Sequence, residues 1–131
     1  MKNKFGQVPK ALRRHLQFVC WKYHPDPNNP SKDKKVPFDP KTGRKASVTA
    51  HATWGTYDQA ISCCKEGGYD GIGFVFSSKD PFIGIDLDSC RNKKTGEIAL
   101  WAQDIINEFD SYNSWANHRR GAPYQNAYFT P

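Results

Sequence analysis

The sequence predicts an α+β domain, with an antiparallel or mixed sheet flanked by helices, and three observations predict it. Short runs rich in aromatic and β-branched residues recur at 16–23, 71–76 and 82–88. Between and after them, two stretches carry apolar residues at helical spacing: Tyr57, Ala60, Ile61 and Cys64, then Ile98, Trp101, Ala102, Ile105 and Phe109. Nine prolines and ten glycines in 131 residues interrupt the chain too often for a helical bundle.

Each element follows from its own residues. Pro9 is placed to open a short helix through Ala11–Leu12. Leu16–Tyr23 reads as a strand with Phe18 and Cys20 on one face and Val19, Trp21 and Tyr23 on the other. Apolar residues on both faces make it central or covered on both sides. From His24 to Lys35 the residues are loop formers, and Val36-Pro-Phe-Asp-Pro40 suits a short edge strand, where proline is tolerated. Lys41–Ser47 is a second turn. Thr56 with Gln59 forms a capping-box pattern ahead of the first long helix, and Gly67–Gly68 stop it. Strands at 71–76 and 82–88 flank the turn Ser77–Pro81 and are expected to pair as a hairpin. The turn Asn92–Gly96 precedes the last helix. From Asn113 onward neither period continues, so 113–131 is expected to be irregular.

A net charge of +6 and a pI of about 9.2 suit polyanionic partners such as nucleic acid. The cations cluster: Lys32, Lys34, Lys35, Lys41, Arg44 and Lys45 share one stretch. The four cysteines form no C-x-x-C pair, which points away from a zinc or disulfide framework and toward free thiols in a cytoplasm. No opening segment has the apolar run of a signal peptide, and no run reaches membrane-span length.

The residues richest in chemistry are Gly84-Ile-Asp-Leu-Asp88. On a strand, Asp86 and Asp88 share a face with Cα atoms about 6.5 Å apart. Two carboxylates so placed repel unless a cation lies between them, and hard oxygens suit Mg²⁺ or Mn²⁺. A solvated strand end with two incidental aspartates gives the same pattern. Lys41, Arg44 and Lys45, on a glycine-containing loop, are candidate phosphate contacts, with a plain polar turn as the alternative. Trp21, Trp54 and Trp101 read as packing residues rather than base-stacking ones, and Cys64 as core.

Taken together, Phe38-Asp-Pro-Lys-Thr-Gly-Arg-Lys-Ala-Ser47, Thr53-Trp-Gly-Thr-Tyr57, Tyr69-Asp-Gly-Ile-Gly-Phe-Val-Phe76, Asp80-Pro-Phe-Ile-Gly-Ile-Asp-Leu-Asp88 and Trp101-Ala-Gln103 resemble the primase–polymerase domains of phage and plasmid replication proteins, in the archaeo-eukaryotic primase superfamily. The likeness runs from about Leu16 to Tyr112. It implies template-directed, metal-dependent nucleotidyl transfer in DNA replication. It also implies that Asp86 and Asp88 bind Mg²⁺ or Mn²⁺ as catalytic ligands, that template, primer and nucleotides are partners, and that a replicative helicase is a further candidate partner. The setting implied is the cytoplasm of a bacterial host or virus-infected cell.

After Asp110-Ser-Tyr112 the family continues with a Gly-x-His strand, whose histidine contacts the nucleotide, and then a third acidic ligand. Residues 113–131 match neither, and His118 stands in the wrong context, Asn117-His-Arg-Arg. Codons for Gly121–Gln125 read one base forward permit Gly-Leu-His-Ile-Arg, so a shifted frame would account for the departure. The expectation is therefore an incomplete primase–polymerase core over 1–112 with a divergent tail over 113–131. Such a fragment is expected to be inactive alone. The alternative is a non-catalytic nucleic-acid-binding or replisome-interaction module.

Overall fold

The computed structural model describes residues 8–87, 89–108, 114–118 and 125–129, and for residue 86 and the last two segments the backbone alone. It is α+β and divides into two compact units, Met1–Val75 and Phe76–Pro131. Each unit has its own three-stranded antiparallel sheet.

In the first unit, a short helix α1 (Lys10–Arg13) follows Pro9, as the sequence predicts. Strands β1 (Phe18–Asp26), β2 (Asn29–Phe38) and β3 (Gly71–Phe74) form a sheet in the order β2-β1-β3. The central place of β1 explains its two apolar faces. Val19 packs with Trp54 and Val75 on one face. On the other, the Phe18 ring meets Tyr57 and Phe74 edge-on at 5.4 and 5.2 Å, and the Cys20 thiol donates to the Ala60 carbonyl at 3.2 Å. Ala60 and Cys64 are the buried residues of α2 (Tyr57–Gly67), so that helix covers the Phe18–Cys20 face.

The expected loop from His24 to Lys35 is instead the tip of a hairpin, and β2 is a ten-residue strand. Cross-strand pairing to β1 runs from Phe38 back to Asp33 and outweighs the loop propensity of these residues. Pro30 and Pro37 are tolerated because β2 is an edge. A register shift at Pro25/Asp26 and the Asp26 carboxylate accepting from the Asn28 amide at 2.9 Å close the turn.

The capping box of α2 forms as predicted. Thr56 accepts from the Gln59 amide at 3.0 Å, the Gln59 side chain accepts from the Thr56 amide at 2.9 Å, and Gly68 closes the helix in the left-handed region. Replacing Thr56 by Ala is expected to lower stability by about 1 kcal/mol, with Thr56→Ser near neutral, read from urea unfolding midpoints.

In the second unit, β4 (Ile83–Leu87), β5 (Ser114–His118) and β6 (Gln125–Phe129) pair in the order β4-β6-β5. The expected hairpin of β3 with β4 does not form. β3 pairs with β1, and the Val75 amide extends that pairing to the Gln17 carbonyl at 2.7 Å. The eight residues 75–82 exceed the usual hairpin loop. The stretch expected to be irregular from 113 contains two strands, with β6 between β4 and β5. Helix α3 (Leu100–Glu108) buries Ala102, and Ile98, Ile105 and Ile106 pack with it around Leu87 and Cys90. This stripe is rotated from the predicted one, which leaves Trp101 49 % exposed rather than in the core. Phe109 lies outside the described residues.

Candidate functional site

The basic loop belongs to the first unit and is organised by an aspartate that the sequence reading left without a role. Asp39 is buried, 5 % exposed. Its carboxylate accepts from the Lys41 amide at 2.8 Å, and its carbonyl accepts from Thr42 and Gly43. Its own amide donates to the Arg44 carbonyl at 2.8 Å. Lys41 Nζ lies 3.3 Å from the Asp39 carboxylate and donates to the carbonyls of Ala52 and Trp54. Three oxygens thus hold the Lys41 ammonium, which ties the loop to the Trp54–Gly55 segment. Gly55 is required there, because a Cβ would lie 2.6 Å from the Pro40 ring. Arg44 and Lys45 are exposed on the same loop. The loop therefore groups the three predicted cations but uses them differently: Lys41 fastens, and Arg44 and Lys45 face solvent.

Beside the loop, a cleft of about 680 Å³ is lined by Lys41, Gly43, Asp58, Cys63, Glu66 and Tyr69, among others. Its two carboxylates weigh against a phosphate inside it. Cys20, which interacts with the cleft-lining Cys63, is fully buried, and burial, reinforced by Cys63 and Cys64, pushes its thiol far above the ordinary cysteine range. A thiol held neutral in this way is a packing group and not a nucleophile.

The second component is β4. Its start is fixed by Asp80, whose carboxylate accepts from the Ser77 amide at 2.7 Å and the Phe82 amide at 2.9 Å. Alternation along the strand then sets its faces. Leu87 is buried and Ile85 packs against the Leu87–Cys90–Ala102 core, so positions 84 and 86 fall on the opposite face. On that face the Phe76 ring lies against Gly84, where an added Cβ would come within 2.8 Å of it. Position 86 pairs with Asn126 of β6. Asp88 lies outside the described residues.

The strand thus carries residue 86 on the face opposite the Leu87–Cys90–Ala102 core. Among the described residues, no group of three or more His, Cys, Asp or Glu could hold a metal ion. His118, the histidine nearest the expected Gly-x-His position, ends β5 in register with Gln125.

The DNA primase-polymerase of Nitratiruptor phage NrS-1 is 37% identical to this chain over 103 residues, 79% of the chain and 13% of that protein. The chain carries a phage primase–polymerase-like region. No family model matches the chain. The primase–polymerase-like region spans only a small part of the length of the curated relative. Most of the motifs behind the resemblance serve its architecture: Asp39 clasps the basic loop, Trp54 and Gly55 pack, Thr56 caps α2, and Asp80 sets the start of β4. No helix among the described residues is long and apolar enough to cross a membrane.

Proposed function

We propose that this region contributes the metal-binding strand and part of the phosphate-binding surface of a phage or mobile-element DNA primase–polymerase. Asp86 and Asp88 hold Mg²⁺ or Mn²⁺ and are the catalytic ligands. Arg44 and Lys45 meet phosphates of template, primer or incoming nucleotide, with Lys41 bracing the loop and adding its charge. The working partners are template DNA, primer and nucleotides, and a replicative helicase in the host cytoplasm. The observation that carries this reading is residue 86 on a strand whose next residue, Leu87, is buried in a packed core, with Asp88 following it in the sequence. The similarity to a phage primase-polymerase supports it.

Such ions, when bound, lower the charge barrier to attack by a 3′-hydroxyl and stabilise the leaving pyrophosphate. The protein's share is rigid placement. Leu87 and Ile85 lock the strand, and Asp80 fixes where its alternation begins.

Calorimetric titration of the 131-residue chain tests the reading. Binding of dATP is expected only when Mn²⁺ is present, with no incorporation of dNTPs on a primed template, since a Gly-x-His match and a third acid are lacking in the sequence. Equal dATP binding in EDTA would overturn the metal role, and template-dependent incorporation would overturn the need for the two further motifs. The second reading, a non-catalytic nucleic-acid-binding module, draws on the exposed basic residues and needs no metal.

A further inference from the structure

The β1–β2 hairpin takes no part in the reading above. Residues directly opposite in an antiparallel pair share a face. Tyr23 pairs with Lys35 and Trp21 with Pro37, so Trp21, Tyr23 and Lys35 lie on one face of the hairpin. The Trp21 and Tyr23 rings meet edge-on at 5.0 Å, and Lys35 Nζ sits 4.6 Å from the Trp21 ring centre. Tyr23 is 40 % exposed, and every residue of β2 from Asn29 to Lys35 is exposed. Across the hairpin, His24 pairs with Lys34, Lys22 with Val36, and Lys22 Nζ lies 4.6 Å from the Tyr69 ring centre. Residues 18–38 hold four lysines against two aspartates.

Lysines on an edge strand commonly serve to block pairing with another sheet. That role accounts for Lys32, Lys34 and Lys35 alone. It leaves unexplained why a tyrosine is 40 % exposed beside a tryptophan with a lysine on the same face. An exposed tyrosine ring backed by a half-buried tryptophan, beside cations on an edge strand, offers what single-stranded nucleic acid needs: a flat surface for an unpaired base and ammonium groups for the backbone.

We propose that the β1–β2 hairpin binds single-stranded DNA without metal and with little sequence preference. Bases stack on the exposed Tyr23 ring, and phosphates meet Lys35 and the neighbouring exposed lysines of the same edge strand, Lys32 and Lys34. The proposal builds on the nucleic-acid reading of this region and names the surface and the form of DNA it takes.

Fluorescence anisotropy of a labelled oligo-dT with the full 131-residue chain in EDTA tests it. The expected order is oligo-dT bound more tightly than a duplex of equal length. Tyr23→Leu, which keeps apolar bulk without a π face, should weaken oligo-dT binding about tenfold and leave duplex binding unchanged, with Tyr23→Phe restoring it. Lys34→Gln with Lys35→Gln, both exposed, should lower the salt slope of oligo-dT binding by about 1.4. Equal affinity for duplex and single strand, or a folded Tyr23→Leu chain that binds oligo-dT like the parent, would overturn the proposal. So would an unchanged salt slope in the lysine variant. Because EDTA is present throughout, failure of Mn²⁺ binding at Asp86 and Asp88 would leave these results unaffected.

Discussion

A chain carrying Asp86→Asn together with Asp88→Asn is expected to bind Mn²⁺ at least about 100-fold more weakly than its parent, measured by calorimetry or by the free-ion electron paramagnetic signal. Asn matches Asp in size and keeps the backbone of β4 free to pair with β6, so the unfolding midpoint should move little. The same variant separates the two functional readings. Removing two negative charges from a surface that meets phosphates should strengthen metal-free DNA binding, because each carboxylate opposes the polyanion. A catalytic metal strand predicts lost Mn²⁺ affinity. A module built only to grip nucleic acid predicts unchanged Mn²⁺ affinity with tighter DNA binding.

Replacing Phe18 by Ala is expected to destabilise the first unit by about 3–5 kcal/mol, the range for deleting a buried phenylalanine. Phe18 is 1 % exposed and is the largest fully buried side chain among the described residues. Its ring contacts Tyr57 of α2 and Phe74 of β3, so truncation opens a cavity where helix and both strands meet. Loss of the two edge-to-face contacts adds to the lost burial. Urea unfolding followed by circular dichroism measures the change. A shift under about 1 kcal/mol would mean that the site collapses around the smaller residue, so that α2 does not depend on this contact.

The legible part of the sequence was the part governed by local chemistry. The capping box at Thr56 and Gln59, the stop at Gly68, the two-faced strand from Phe18 and the turn over Ser77–Pro81 all rest on residues near one another in the chain. What escaped reading depended on distant partners. Asn29–Lys35 looks like loop by composition, and becomes strand only because β1 lies beside it. The same holds for 114–118 and 125–129, which have strand partners in each other and in β4. Trp101 fell outside the core because Ala102, Ile105 and Ile106 define a stripe one position on. At the candidate site, Asp39 was missed although Asp-Pro-Lys-Thr-Gly has the residue types of a side-chain-clasped turn. The cations drew attention by charge, while the residue that orders them is buried.

The Asp80 clasp has a consequence for how this segment can vary between related chains. One carboxylate fixes two amides on either side of Pro81, and β4 begins three residues after it. Strand alternation then counts forward from that point. An insertion before Ser77 leaves the count untouched, whereas a single residue gained or lost between Asp80 and Asp86 would turn position 86 toward the core and Leu87 toward water. Lineages should therefore tolerate length changes ahead of the clasp and reject them after it, which makes the spacing from 80 to 86 a sharper signature than the aspartates themselves.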